Sequence, residues 1–198
     1  MQSLVSITRV LDKTCRPEPD VETCSKYLEG LADELISQQY CMEDYQQQNS
    51  VVVQAYVGMR AYKTVHDAVC LTDPSEETEQ YCFASAATDL TTASNVYMYY
   101  LPLNSSYPPR ATPSCNSCTN ATMAVFQAAT SDRTNAIAST YGGAAAKINE
   151  VCGNNYVNAT LAAAVEENSS TATMGHMPTS SALLLLLPLI TTVYQWLS

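Results

Sequence analysis

Two cysteines three residues apart are the first feature with chemical potential. Cys115-Asn-Ser-Cys118 has the C-x-x-C spacing, which at a helix start can depress a thiol pKa and support redox exchange. That use wants a thioredoxin-like alternation of strands and helices, and the chain shows none. With six further cysteines at 15, 24, 41, 70, 82 and 152, structural bridges are the expected role. A zinc centre would need a second Cys/His pair at ligand spacing. His66 and His176 do not supply one, so no metal and no cofactor is expected. A serine nucleophile needs a base, and only His66 would remain after removal of the anchor signal; there is no G-x-S-x-G elbow. On its helical stripe, His66 reads as a hydrogen-bonded core or boundary residue. Paired carboxylates for glycoside cleavage remain open, because their separation is not legible in sequence. Asp33, Glu34, Glu43, Asp44, Asp67 and Asp73 are all candidates. The acidic run Glu76, Glu77, Glu79 lacks the Gly-punctuated spacing of a calcium loop and reads as a solvated loop.

The eight cysteines Cys15, Cys24, Cys41, Cys70, Cys82, Cys115, Cys118 and Cys152 form an even set. In an extracellular setting such a set implies a disulfide framework, here of up to four bridges. Cys70 and Cys82 flank the turn Asp73-Pro74-Ser75 and are the expected pair. Four N-glycosylation sequons begin at Asn104, Asn120, Asn158 and Asn168 and suit the same compartment. The net charge of −10 excludes the basic footprint that nucleic-acid binding requires. It would also repel anionic headgroups.

Attachment to a membrane is expected by another route. From Ala182 to Leu197 the chain is apolar and uncharged. It follows a polar spacer (Thr171 to Ser181) and the small residues Asn168, Ser169 and Ser170, the candidates for anchor attachment. Small residues, a spacer of about 8–12 and a tail of about 10–20 residues form the signal for a GPI anchor. A transmembrane span needs roughly 20 apolar residues, whereas this run is short, contains Pro188 and is followed by no Lys or Arg. The expected location is the outer face of the plasma membrane or the cell wall. Residues 1–13 have no apolar signal-peptide core and carry Arg9 and Lys13, so a truncated N-terminus is expected.

The elements that position these residues read as mainly α. Leu4, Ile7, Val10 and Leu11 have helical spacing. Asp20 and Glu22 open a second helix whose stripe is Val21, Cys24, Leu28, Leu31 and Leu35. Ser50 is the expected N-cap of a third helix, of about 18 residues, with Val52, Ala55, Met59, Tyr62, His66 and Val69 on one face. Residues 96–113 are rich in Tyr and Pro. They are expected to form an extended strap, with a short strand over Val96 to Leu101, packed across helices. Its exposed tyrosines, beside a sequon, are an alternative grip for sugar. CNSC opens a fourth helix with Met123 and Phe126 inward. A last helix runs from about Thr134 to Cys152, bearing Ile137, Tyr141, Ala144, Ala145, Ile148 and Val151, and Gly153 stops it. Gly142 and Gly143 within it suggest a closely packed neighbouring helix.

The blocks CLTDPSEETEQYCFASA, VYMYYLPLN, PSCNSCTNATMAVF and YGGAAAKINEVC, with AYVGMRAY upstream, give the region 15–161 a family resemblance. It resembles fungal secreted proteins known only as a domain of unknown function, typically GPI-anchored and cysteine-rich, with a longer N-terminus. The resemblance implies location and lineage and carries no catalytic residue. Together these readings predict a single disulfide-stapled helical bundle of about five helices over residues 1–161. A Ser/Thr linker (162–181) and a signal tail (182–198) follow. The expected function is a non-catalytic surface protein, structural or adhesive, binding cell-wall polysaccharide or another surface protein. The alternatives are a wall-glycan hydrolase with an acidic pair and a surface receptor for a small ligand or metal.

Overall fold

The computed structural model describes residues 3–16, 18–75 and 80–165. The acidic run 76–79, the Asn168 sequon, His176, the anchor candidates and the hydrophobic tail lie outside the described residues. Among the described residues there are eight α-helices: α1 (Leu4–Thr14), α2 (Val21–Leu35), α3 (Met42–Gln46), α4 (Ser50–Arg60), α5 (Tyr62–Val69), α6 (Cys82–Thr88), α7 (Ser117–Ala129) and α8 (Ile137–Cys152). Between α6 and α7 lies a 3-10 strap (Ala93–Leu103). No strand forms among them; one antiparallel bridge joins Thr72 and Tyr81.

Local chemistry explains most boundaries. Side-chain oxygens of Ser3, Asp20, Asn49 and Asn116 accept from free amides in the first turns of α1, α2, α4 and α7, replacing hydrogen bonds a helix start cannot make. Asn49, not Ser50, is therefore the cap of the third predicted helix. That helix also breaks at Ala61 into α4 and α5. The count of about five helices is too low for the same reason and because α3 and α6 span only five and seven residues, too few to show a period. Gly153, with φ of 107°, ends α8 as expected. No neighbouring helix packs closely on Gly142 or Gly143, contrary to expectation: a Cβ at either would meet nothing within 4 Å.

The core gathers Met98, Tyr99 and Leu101 of the strap, Met123 and Phe126 of α7, and Tyr141 and Ile148 of α8. A smaller cluster places Ile7 and Leu11 of α1 against Tyr81 and Ala84. On α2 the fully buried positions are Ser25 and Ala32, while Cys24 and the leucines of the predicted stripe are only half-buried. Val151, expected inward on α8, is 40% exposed.

The strap packs across helices as expected, but it is neither extended nor a strand. Three residues per turn align every third side chain. Asn95, Met98 and Leu101 face inward, and Tyr97, Tyr100 and Leu103 face outward. Asn95 pairs with Ser114 in both directions, its amide donating to Oγ at 2.9 Å and its oxygen accepting from the backbone N–H at 2.7 Å. The Thr140 hydroxyl donates to the Leu101 carbonyl at 2.8 Å. Tyr99 stacks edge-on against Phe83, with centroids 4.9 Å apart. Beyond α8 the chain stays docked. Asn149 exchanges two hydrogen bonds with Val157, and the Val165 N–H donates to the Ser131 carbonyl.

Burial pushes the phenols of Tyr99, Tyr107 and Tyr141 up to about 12. For Tyr99 a hydrogen bond with Thr122 partly offsets the rise. A pKa higher in the folded state favours folding in full below the unfolded value of about 10, and that contribution is lost as pH rises towards about 12. Ultraviolet titration of the thirteen tyrosines should therefore show a late fraction that ionises only as the fold opens. Reversible titration of every tyrosine near 10, with no unfolding step, would contradict the described core.

Candidate functional site

The cysteines fix the domain's connectivity. Cys15 bonds Cys70, joining the ends of α1 and α5; Cys82 bonds Cys118, joining α6 to α7; Cys115 bonds Cys152, tying the entry of α7 to the end of α8. The expected Cys70–Cys82 pair is thus not formed. Backbone hydrogen bonds already pinch the loop between them, from Asp73 N–H to the Gln80 carbonyl at 2.9 Å and from Cys82 N–H to the Leu71 carbonyl at 2.8 Å. Both thiols are left to reach other helices. Cys115 and Cys118 have different partners, so CNSC is not a redox pair here. The described bridges number three rather than four, and Cys24 and Cys41 are free thiols. Cys24 lies near the start of α2, and Cys41 lies beyond its C-terminal end, at the entry of α3.

The candidate acids are scattered. Glu43 accepts from Gln47, Asp44 from Asn49, and Asp73 from the hydroxyls of Ser75 and Ser117, the latter at 2.6 Å. Glu34 lies by Tyr40, whose phenol it raises by hydrogen bonding. The carboxylates with a clear shift, Asp20, Asp73 and Asp89, are all lowered by hydrogen bonds, from Thr23, Ser117 and Thr91 first. That is the opposite of what a general acid requires. His66 is buried, and its Nε2 lies 3.2 Å from the Thr14 carbonyl and 3.6 Å from Cys70 Sγ. It supports the α1–α5 bridge. Among the described residues, no group of three or more His, Cys, Asp or Glu could hold a metal ion.

Two clefts remain. One, of about 470 Å³, has Val125, Ala128 and Ala129 of α7 on its floor and Glu29, Arg60, Lys63, Asp67 and Asp132 around it. All its charges but Glu29, which accepts from the Ser25 hydroxyl, are mutually engaged. Lys63 Nζ is 2.8 Å from Asp67, which raises the ammonium's pKa by hydrogen bonding, and Arg60 lies 3.8 Å from both Asp33 and Asp132. Asp33 and Asp67 are thus partners of cations rather than a catalytic pair. The second cleft, of about 670 Å³, runs between α4 and the strap. Ser50, Val53, Gln54 and Val57 form one wall, Tyr100, Leu103, Asn104 and Ser105 the other, and Gln48 one end. No charged side chain lines it. Composition alone did not show this groove, although the tyrosines of the strap and the Asn104 sequon were both noted.

The three described sequons differ. Asn104 is exposed, ends the strap with φ of 61° and lines the second cleft. Asn158 is exposed, and its side-chain oxygen accepts from the Thr160 N–H. Asn120 is exposed too but sits inside α7, where its amide donates to the Tyr156 carbonyl and Thr122 of its sequon is fully buried.

Non-reducing peptide mapping should recover the 15–70, 82–118 and 115–152 links and find alkylatable thiols at Cys24 and Cys41. Removing the Cys82–Cys118 link, which spans 36 residues, as a double Cys→Ala variant should lower stability by about 4 kcal/mol in the chain-entropy account. A 70–82 link, or a stability loss within error of zero, would refute the described connectivity.

No helix among the described residues is long and apolar enough to cross a membrane. Searches of curated proteins and of solved structures return no match for this chain. The profile of a family described as a domain of unknown function, DUF7729, matches residues 1–161, which includes all three disulfides and both clefts. The chain is a member of the DUF7729 family.

Proposed function

We propose that the protein is a non-catalytic component of the cell exterior, structural or adhesive, held by a GPI lipid at the outer membrane face or passed to the cell wall. The observation that carries this reading is the set of three disulfides joining separate helices, since such bonds persist in oxidising compartments and are rare inside cells. The Ala182 to Leu197 run behind its polar spacer supplies the lipid part, and two exposed sequons at Asn104 and Asn158 suit the same route. A non-catalytic role is favoured because Asp67 and Asp132 in the smaller of the two clefts are matched with Lys63 and Arg60, and the carboxylates with a clear shift are lowered rather than raised as a general acid needs.

Treating intact native cells with a phosphatidylinositol-specific phospholipase C should release the protein into the aqueous phase. Its C-terminal peptide should end between residues 168 and 170 and lack Trp196. A mature polypeptide that retains Trp196 and stays with the cells would overturn the anchor.

A further inference from the structure

We infer that the groove between α4 and the strap is a binding site for a neutral polysaccharide, engaged through the exposed ring of Tyr100. The inference rests on the adhesive reading above and names its ligand class and its site. Nine basic and nineteen acidic residues cover this chain, yet none lines the groove. Its wall instead combines an aromatic ring with paired aliphatic and amide rows. Val53 and Val57 form one row of α4, and Ser50 and Gln54 another, each at the i, i+4 spacing that puts two side chains on one face. A pyranose has the matching duality: an apolar face of C–H bonds and a rim of hydroxyls. The Tyr100 ring and the valines suit the first, because aromatic side chains provide an apolar body. Ser50 and Gln54 suit the second, since neither side chain makes a hydrogen bond among the described residues. A charged ligand would find no counter-ion in the groove, and an anionic one would be repelled by the net charge of −10.

Backbone geometry marks the same place independently. Three non-glycine residues have positive φ among those described, Gln48, Asn104 and Asn155. The first two stand in the groove's lining. Asn104 takes the left-handed position that commonly ends a helix, whereas that region is unfavourable for Gln48, and residues held in it gather at ligand sites. Gln48 is held there by its own hydrogen bonds to the Tyr45 carbonyl, from the backbone at 3.0 Å and from Nε2 at 3.2 Å. Tyr100 is 48% exposed, and its carbonyl accepts from the Asn104 and Ser105 amides. The ring is thus offered to solvent on a tethered backbone. A cleft of about 670 Å³ is within the range of ligand sites.

The full chain, made in a secretory host, should be titrated with laminarihexaose, cellohexaose and mannohexaose, and with oligogalacturonate as the anionic contrast, by isothermal calorimetry. Saturable binding of at least one neutral hexamer is expected, with no binding of the anionic probe. Tyr100→Ala should weaken it about tenfold or more and Gln54→Ala measurably. Tyr100→Phe should retain it, which separates loss of the ring from loss of the fold. Glu29→Gln, in the other cleft, should leave it unchanged. The inference is overturned if no neutral hexamer binds at millimolar concentration, or if binding survives both Tyr100→Ala and Gln54→Ala. Binding that emerges only in Asn104→Gln would also overturn it, because the protein's own glycan would then be the occupant. Phospholipase release is independent of this titration, so either idea can fail alone.

Discussion

The described domain depends on how the strap is held. A 3-10 segment has poorer hydrogen-bond geometry than an α-helix, and Pro102 removes a backbone donor within it. It has little reason to persist alone. What keeps it in place is a wall of side chains: Tyr99 set edge-on to both Phe83 and Phe126, Met98 and Leu101 excluded from solvent, and the Leu101 carbonyl capped by Thr140. Those partners come from α6, α7 and α8. Two of the three disulfides, Cys82–Cys118 and Cys115–Cys152, join those same helices to one another. Covalent links between the walls therefore maintain a space that the strap fills.

The strap gives the site its character through the same periodicity. One row of every third residue builds the core, and the next row, Tyr97, Tyr100 and Leu103, faces outward. Tyr100 and Leu103 then meet α4, a helix with no fully buried residue. Core packing and groove formation are two faces of one segment. A well-packed inner face lets the outer face present a ring on a fixed backbone, which limits the entropy lost when a surface site binds a ligand such as the proposed carbohydrate.

Much of this helical framework was legible before any coordinates. An apolar period in α1, α2 and α8, the acidic start of α2 and the Gly153 stop located those helices to within a few residues, and Met123, Phe126, Tyr141 and Ile148 face inward as expected. The misses have physical causes. α3 and α6 are too short to show a period. A Tyr/Pro-rich composition suits extended chain, and only the burial of Asn95, Met98 and Leu101 discloses a period of three. Cysteine pairing depends on which helix ends meet in space; Cys15 and Cys70 lie 55 residues apart, and no local pattern encodes that meeting. The groove was invisible for the same reason, since Gln54 and Tyr100 become neighbours only through the fold.

Amide hydrogen exchange on the folded protein, read by mass spectrometry with and without a thiol reductant, tests the central dependence most directly. With the bridges intact, the peptide spanning the strap should exchange slowly, as expected of backbone that opens only with the core. After reduction it should lose protection before α2 and α4, which no bridge holds. Protection of the strap that is unchanged by reduction, or absent in the oxidised protein, would contradict the account.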